Sequence, residues 1–245
     1  MQQPDETEPG GVHGAAGHQT AHYGGVDNLE VMEEALNYNA FLQRLVTSSA
    51  QPQHTLLDFG AGTGTLARPL AAAGYRVRCI EPDDRLRARL RAAGLDAVAT
   101  IDEIAAESAE VIYAINVLEH IPDDRGTILA LRERLKPGGR LVVYVPAFPL
   151  LFSSMDRAVG HVRRYRLAQL SRLLGAAGLL VEHVAYQDCL GFGAALLFKL
   201  IGNDSGTLSR SALVAYDRYV FPISHFLDRQ FGRWFGKNLH AVARR

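Results

Sequence analysis

The segment Leu56-Leu57-Asp58-Phe59-Gly60-Ala61-Gly62-Thr63-Gly64-Thr65 constrains the fold of this chain more than any other stretch. A short apolar run from His54 to Phe59 carries one acid and stops at a glycine loop. Thr65 to Ala73 then takes up helical spacing, with Leu66 and Leu70 on one side and Gly74 as a natural C-terminal cap. Three glycines at alternate positions allow a tight turn and let backbone N–H groups come up against a ligand. The order strand, glycine loop, helix predicts a nucleotide-type site at the carboxyl end of the first strand of an α/β sheet.

The elements that follow extend this unit. Arg76 to Glu81 reads as a second strand ending in an acid. A carboxylate there, about 20 residues past the glycine loop, accepts ribose hydroxyls of an adenosine, a position that dinucleotide-binding domains also use. Asp83 or Asp84 caps the next helix, which Gly94 ends. Ala97 to Thr100 is a short third strand followed by Ile101 and Asp102. Val111-Ile112-Tyr113-Ala114-Ile115-Asn116-Val117-Leu118-Glu119-His120-Ile121-Pro122-Asp123 and, after a helix, Leu135-Lys136-Pro137-Gly138-Gly139-Arg140-Leu141-Val142-Val143-Tyr144-Val145 supply a fourth and a fifth strand.

The glycine loop with its preceding acid, the fourth-strand stretch and the Lys-Pro-Gly-Gly turn stand in the order in which the class I S-adenosylmethionine-dependent methyltransferases have them. The resemblance covers Leu56 to Val145 and is closest to bacterial small-molecule enzymes of that family. It implies a Rossmann-like α/β fold: a seven-stranded, mostly parallel sheet with helices on both faces. It implies S-adenosylmethionine as cofactor, with Gly60, Ala61, Gly62 and Gly64 approaching its amino-acid part and Asp58 helping to hold its ammonium. Glu81 and Pro82 would take the ribose, Ile101 and Asp102 would line the adenine, and Asn116 and Val117 would close the site after the fourth strand. Tyr38, from an N-terminal helix read over Asp27 to Ser48, would touch the cofactor or pack between helix and sheet. A non-catalytic binding or regulatory subunit on the same fold is the alternative from another class; an NAD-dependent reductase is disfavoured by the loop spacing.

Pro146 to Asp156, leading into Gly160-His161-Val162-Arg163-Arg164-Tyr165, leaves the ligand side of the sheet with prolines, polar residues and a few aromatics, which reads as an active-site lid. Histidine suits proton removal near neutral pH, so His161 and His120 are candidate bases, with Tyr165 orienting the acceptor or packing under the lid. Arg163 and Arg164 would receive an acidic substrate group or pair with Asp156. Leu179 to Tyr186 is a sixth strand and Asn238 to Arg244 a seventh. Between them, over about 189–236, lies a helical insertion where a short hairpin loop is the norm. It is apolar first, then aromatic at helical spacing. This suits a cover over an apolar acceptor pocket, with possible peripheral contact to a membrane surface through Lys199, Arg229, Arg233 and Trp234, or an extra core layer or dimer interface.

Residues 1–25, rich in Gly, Gln, Pro, Glu and His, are expected to be disordered, leaving 26–245 as the catalytic domain. His13, His18 and His22 fall in that tail without metal-site spacing, and Cys79 and Cys189 form no metal or disulfide pattern; no metal is expected. A formal net charge of +0 argues against nucleic acid as partner. The expected acceptor is a small molecule or a lipid-linked intermediate. The chain reads as cytoplasmic, possibly membrane-associated, because it opens without an apolar leader. Oligomeric state has no signal in the sequence.

Overall fold

The computed structural model describes residues 30–201 and 209–245. Seven strands, β1 (Thr55–Phe59), β2 (Arg76–Ile80), β3 (Asp96–Val98), β4 (Ala109–Ile115), β5 (Leu135–Pro146), β6 (Leu180–Gln187) and β7 (Asn238–Arg244), form one sheet. Its order is β3-β2-β1-β4-β5-β7-β6, and β1 to β5 pair in parallel. β7 runs antiparallel to both neighbours, so β6 points the same way as β1 to β5. The carboxyl ends of six strands therefore share one edge. The expected fold class is the one observed.

The helices are α1 (Leu36–Thr47), α2 (Ala67–Ala72), α3 (Asp84–Ala92), α4 (Asp124–Arg134), α5 (Ser154–Ala158), α6 (Leu167–Ala176), α7 (Cys189–Ile201), α8 (Arg210–Ala215) and α9 (Phe221–Phe231). They cover both faces of the sheet, which is why the central strands read as continuous apolar runs rather than alternating ones. Leu57, Ile112, Leu141 and Val143 face a core shared with Ile128 and Leu131 of α4 and Leu170 and Leu174 of α6. Leu56, Val111, Tyr113, Val142 and Tyr144 face the opposite way, onto Phe41, Leu42 and Val46 of α1 and Phe221 of α9.

Two local features depart from the sequence reading, and a third decides between its alternatives. The helix expected over Asp27 to Ser48 is broken: i→i+3 turns at Glu33, Glu34 and Ala35 separate a turn around 30–32 from α1. The Lys-Pro-Gly-Gly segment is a bulge inside β5, across which pairing jumps from Ala109↔Leu135 to Val111↔Arg140. A Cβ on Gly139 would lie 2.9 Å from the Lys136 carbonyl oxygen, so the bulge closes only around glycine. Finally, Asp83 is the cap of α3, accepting from the N–H groups of Arg85 and Leu86. The expected disordered tail (1–25) and residues 202–208 of the insertion lie outside the described residues.

The insertion begins at the end of β6 and returns at the start of β7, so it stands on the same edge as the glycine loop. Its anchors are carboxylates. Asp228 accepts from the N–H groups of Asp188 (2.7 Å) and Cys189 (2.8 Å), capping α7. Asp188 accepts from Gly191 N–H and from the hydroxyls of Tyr216 and Ser224.

Candidate active site

The glycine loop turns through the left-handed region three times, with φ of +80° at Gly60, +56° at Gly62 and +81° at Gly64. A Cβ on Gly60 would sit 2.6 Å from Cγ2 of Val117. The Val117 side chain of the segment after β4 thus packs directly on the Gly60 backbone. Glu81, at the end of β2, is buried, and its carboxylate accepts from Gly62 N–H (2.7 Å) and Asp83 N–H (2.9 Å). One acid thereby ties the glycine loop to the entry of α3. Asp58, two residues ahead of the loop, is also buried.

Burial pushes the Asp58 carboxyl up to about 7, partly offset by the Tyr113 hydroxyl, and burial raises Glu81 as well. Among the described residues, neither carboxylate forms an ion pair. Buried carboxylates are costly unless charge and hydrogen bonds meet them. The crevice thus holds two buried carboxylates with no cationic partner among the described residues, Glu81 being met by two backbone N–H groups.

Asn116 follows β4 with φ of +55° and donates from Nδ2 to Tyr38 Oη at 3.4 Å. This brings α1 onto the crevice from the far side. Ile101 and Asp102 lie in a short 3₁₀ turn (Ile101–Glu103) after β3. Ile101 is half-buried against the core, while Asp102 is turned to solvent with Arg134 at 3.4 Å. Pro82 is exposed beside Glu81. The structure thus brings Asp58, Gly60, Ala61, Gly62, Gly64, Glu81, Asn116, Val117 and Tyr38 together and sets the Asp102 side chain apart.

The lid is built around a buried acid. Asp156 is 1% exposed, and its two oxygens take five contacts. These are the N–H (2.9 Å) and hydroxyl (3.2 Å) of Ser153, Nδ1 of His161 (2.8 Å), and Nε (2.8 Å) and Nη2 (3.0 Å) of Arg164. Burial alone would raise this carboxyl, but the His161 and Arg164 contacts hold it well below the usual range. An ionised Asp156 can only accept, so it fixes the His161 tautomer with its proton on Nδ1. Arg164 is spent on Asp156, and Arg163 on Asp124 and the Pro122 carbonyl.

Tyr165 packs under the lid. It is fully buried in the main core, with its hydroxyl 2.9 Å from Asp124 Oδ2 and 3.1 Å from the Leu118 carbonyl. Ala147 and Tyr165 form a parallel bridge that stitches the lid to the sheet, and this drives the ring inward. His120 packs edge-on against His161, ring centroids 4.7 Å apart, and burial, with His161 beside it, lowers it to about 4. It is neutral and weakly basic at pH 7.

Sequence reasoning missed Glu119, which is fully buried with neither carboxylate oxygen hydrogen-bonded. Burial pushes it up to about 8, so it is mostly protonated at neutral pH. Its Oε1 lies 3.8 Å from His161 Nε2. Donor atoms of Glu119, His120 and His161 lie within 4.8 Å of one another, a set with the chemistry to take a divalent cation. No motif spacing announces it, because the lid supplies the third member.

Residues 29–184 match the family described as a methyltransferase domain. A ubiquinone biosynthesis O-methyltransferase from Paramagnetospirillum magneticum is 37% identical over 93 residues, 35% of this chain and 37% of that protein. Its counterpart from Xylella fastidiosa is 34% identical over 153 residues, 53% of this chain and 62% of that protein. The chain thus matches under two thirds of the length of either relative. Among solved structures, a Thermotoga maritima SAM-dependent methyltransferase, titled a possible histamine N-methyltransferase, superposes with a TM-score of 0.59 at 17% identity, covering 91% of this chain and 97% of the other. A Haemonchus contortus phosphoethanolamine N-methyltransferase 2, solved with S-adenosyl-L-methionine, gives 0.57 at 19% identity, covering 85% of this chain and 52% of the other. At these identities the solved structures establish the fold.

Proposed function

We propose, from the premise that this chain belongs to the class I S-adenosylmethionine-dependent methyltransferases, that it methylates a hydroxyl of a small-molecule or lipid-linked acceptor, with His161 as the base. The observation that carries the proposal is the Asp156–His161 pair in the lid after β5, in which a buried carboxylate holds the imidazole by Nδ1 at 2.8 Å.

The residues fit the cofactor. Asp58 and Glu81 are buried carboxylates without ion pairs, and S-adenosylmethionine is a cation with an ammonium, a sulfonium and ribose hydroxyls. Left-handed glycines at 60, 62 and 64 keep side chains off alternate positions of the loop, so its backbone can approach the amino-acid end. In this reading Asp58 meets the ammonium, Glu81 the ribose, Ile101 the adenine, and Asn116 with Tyr38 closes the site. When bound, the cofactor supplies an activated methyl group for in-line displacement.

What the chain supplies is alignment, dryness and a proton acceptor. Orientation of the acceptor is worth roughly 7–11 kcal/mol, and a general base about 10²–10⁴-fold. His161 takes the hydroxyl proton on Nε2, and Asp156 stabilises the imidazolium that results. Glu119, mostly neutral at pH 7, adds little further stabilisation to that imidazolium. Oxygen as the methylated atom also accords with the names of the two O-methyltransferase relatives.

The insertion supports a lipid-linked acceptor. Leu197, Leu200, Tyr219, Ile223, Phe226 and Trp234 are all more than half exposed. Both acids of α8 to α9, Asp217 and Asp228, are buried, so the exposed charges of that stretch are cationic. Arg218 lies over Tyr219 (5.6 Å) and Arg233 over Trp234 (3.9 Å). Apolar and aromatic side chains with a cationic rim suit an anionic lipid surface. Lys199, expected at headgroup level, instead donates to the Leu150 carbonyl and ties α7 to the lid. No helix among the described residues is long and apolar enough to cross a membrane.

The test is a methyl-transfer assay over phenolic and prenylated phenolic acceptors, comparing wild type with His161→Ala. The expected result is a turnover loss of about 10²–10⁴-fold at unchanged cofactor affinity. Undiminished turnover in the variant would remove His161 from the chemistry. Absence of cofactor binding by the wild-type chain would remove the whole proposal.

A further inference from the structure

The helix that closes the cofactor crevice has no cap of its own. The residue before α1 is Ala35, which offers no side-chain acceptor, and the first turn of α1 contains no acid. Four N–H groups at a helix start need partners. Two of them find one far along the chain. Asp217 Oδ2 accepts from Asn37 N–H at 3.0 Å, and Oδ1 accepts from Tyr38 N–H at 2.8 Å. The Asn37 side chain answers by donating to the Asp217 carbonyl at 3.0 Å. Asp217 is 5% exposed, so its carboxylate is largely withdrawn from water while Asn37 stays at the surface.

Asp217 belongs to a five-residue π-helical turn, Tyr216–Val220, between α8 and α9. Such turns are rare and cluster at functional positions. Here consecutive side chains leave for two different anchors: Tyr216 to Asp188 at the root of the insertion, and Asp217 to α1. The ring of Phe221, just beyond, packs on Tyr38 (centroids 5.4 Å) and Phe41 (5.6 Å), and His225 packs on Phe41 (4.7 Å). Tyr38 therefore receives its backbone cap and a ring neighbour from the insertion, and passes its hydroxyl to Asn116.

We infer that Asp217 is a positioning residue for the cofactor site: it caps α1 so that Tyr38 closes on Asn116, and the insertion thereby sets cofactor affinity. The inference rests on the reading of the crevice as the cofactor site. It makes the acceptor-side cover and the cofactor-side helix a single unit. By reciprocity, whatever orders the insertion tightens cofactor binding, and bound cofactor orders the insertion by the same factor.

The experiment measures S-adenosylmethionine affinity by isothermal titration for full-length wild type, Asp217→Asn, Asp217→Ala, Tyr38→Phe and the Asp217→Ala/Tyr38→Phe pair. Amide exchange at residues 36–40 and thermal unfolding are followed in parallel. Asp217→Ala is expected to weaken the cofactor about tenfold and speed exchange at 36–40, because lost caps free the helix start. Asp217→Asn keeps one acceptor oxygen and falls between. Tyr38→Phe is expected to weaken binding as well, and the pair to cost less than the product of the single effects, since both act through one ring. Adding Ala35→Ser to Asp217→Ala supplies a cap in cis and is expected to restore both exchange protection and affinity. A merely structural role would lower thermal stability without moving affinity. Unchanged affinity in folded Asp217→Asn and Asp217→Ala, or fully multiplicative effects in the pair, would overturn the coupling. Failure of wild type to bind would instead refute the underlying cofactor assignment.

Discussion

Cofactor affinity is expected to rise with pH through neutrality because of Asp58. In the ligand-free protein, burial holds this carboxyl at about 7. A cationic ligand binds the ionised form and draws the carboxyl back toward its ordinary range, so binding releases one proton where the free carboxyl is protonated. With a free value of about 7, the ionised fraction falls from about three quarters at pH 7.5 to about 3% at pH 5.5, so affinity drops about 25-fold. That interval lies below the range in which an α-ammonium loses its own proton, about 7.7–8.0. Asp58→Asn should weaken binding at pH 7.5 by the loss of a charge-assisted contact, about 1.5–3 kcal/mol. It should also flatten the dependence on pH.

The same group has the opposite effect on stability. Its folded value is raised, so the stability it contributes is present below its unfolded value of about 3.9 and is lost as pH rises through about 7. Ionised Asp58 therefore opposes folding at pH 8, and Asp58→Asn should make the ligand-free protein more stable there, on the order of 1–4 kcal/mol. Calorimetric titration and thermal unfolding at pH 5.5, 6.5 and 7.5, with unfolding extended to pH 8, measure both effects. A pH-independent affinity in wild type, or a variant that binds as tightly as wild type, would refute the reasoning. Glu81 and Glu119 share the sign of the stability effect, so the difference between wild type and variant isolates Asp58.

Gly60→Ala should lower cofactor affinity at least tenfold and stability by about 1–2 kcal/mol. A left-handed φ penalises any side chain, and the new Cβ would meet Val117 Cγ2 at 2.6 Å; titration and a melting curve check both. Asp156→Asn should cost about 3–5 kcal/mol, because it strands a buried Arg164. The Asp156 carboxyl is held low in the fold, so wild type should lose stability as pH falls below about 4, a loss the variant lacks; urea titrations across pH 2.5–7 compare the two. Ile223→Asp/Phe226→Asp should abolish co-sedimentation with anionic phosphatidylglycerol vesicles while leaving cofactor affinity intact.

The sheet was legible because each strand's identity is stated locally. Leu56 and Leu57 are both apolar because one faces each core. β7 could be read across the insertion because Leu239, Ala241 and Ala243 share a face with the main cluster. The start of α1 was not legible. No glycine or proline marks the break at Glu33 to Ala35, and the group that begins the helix stands 180 residues away. A cap supplied in trans leaves no mark near the helix it serves, and the same holds for Asp228 at the start of α7. In both cases the insertion was read as apolar cover, while its acids, Asp217 and Asp228, are what fasten it.

The site divides along the same line. Gly60, Gly62 and Gly64 declare themselves because backbone conformation selects the residue type on the spot, and Glu81 follows from its place at a strand end. His161 and Tyr165 stand four residues apart in one polar segment, and nothing in that segment separates a base from a buried strut. The separation comes from Ala147, whose bridge to Tyr165 pulls that residue under the sheet edge while His161 stays half-buried on Asp156. His120 is decided by burial and by the same neighbour: half-buried and packed against His161, it is lowered to about 4 and held neutral. His161 carries an ionised acid on Nδ1, while its Nε2 lies 3.8 Å from the Glu119 carboxyl. That asymmetry, created by a residue five positions upstream and a lid fold that joins them, is what makes it the proton acceptor in the proposed reaction.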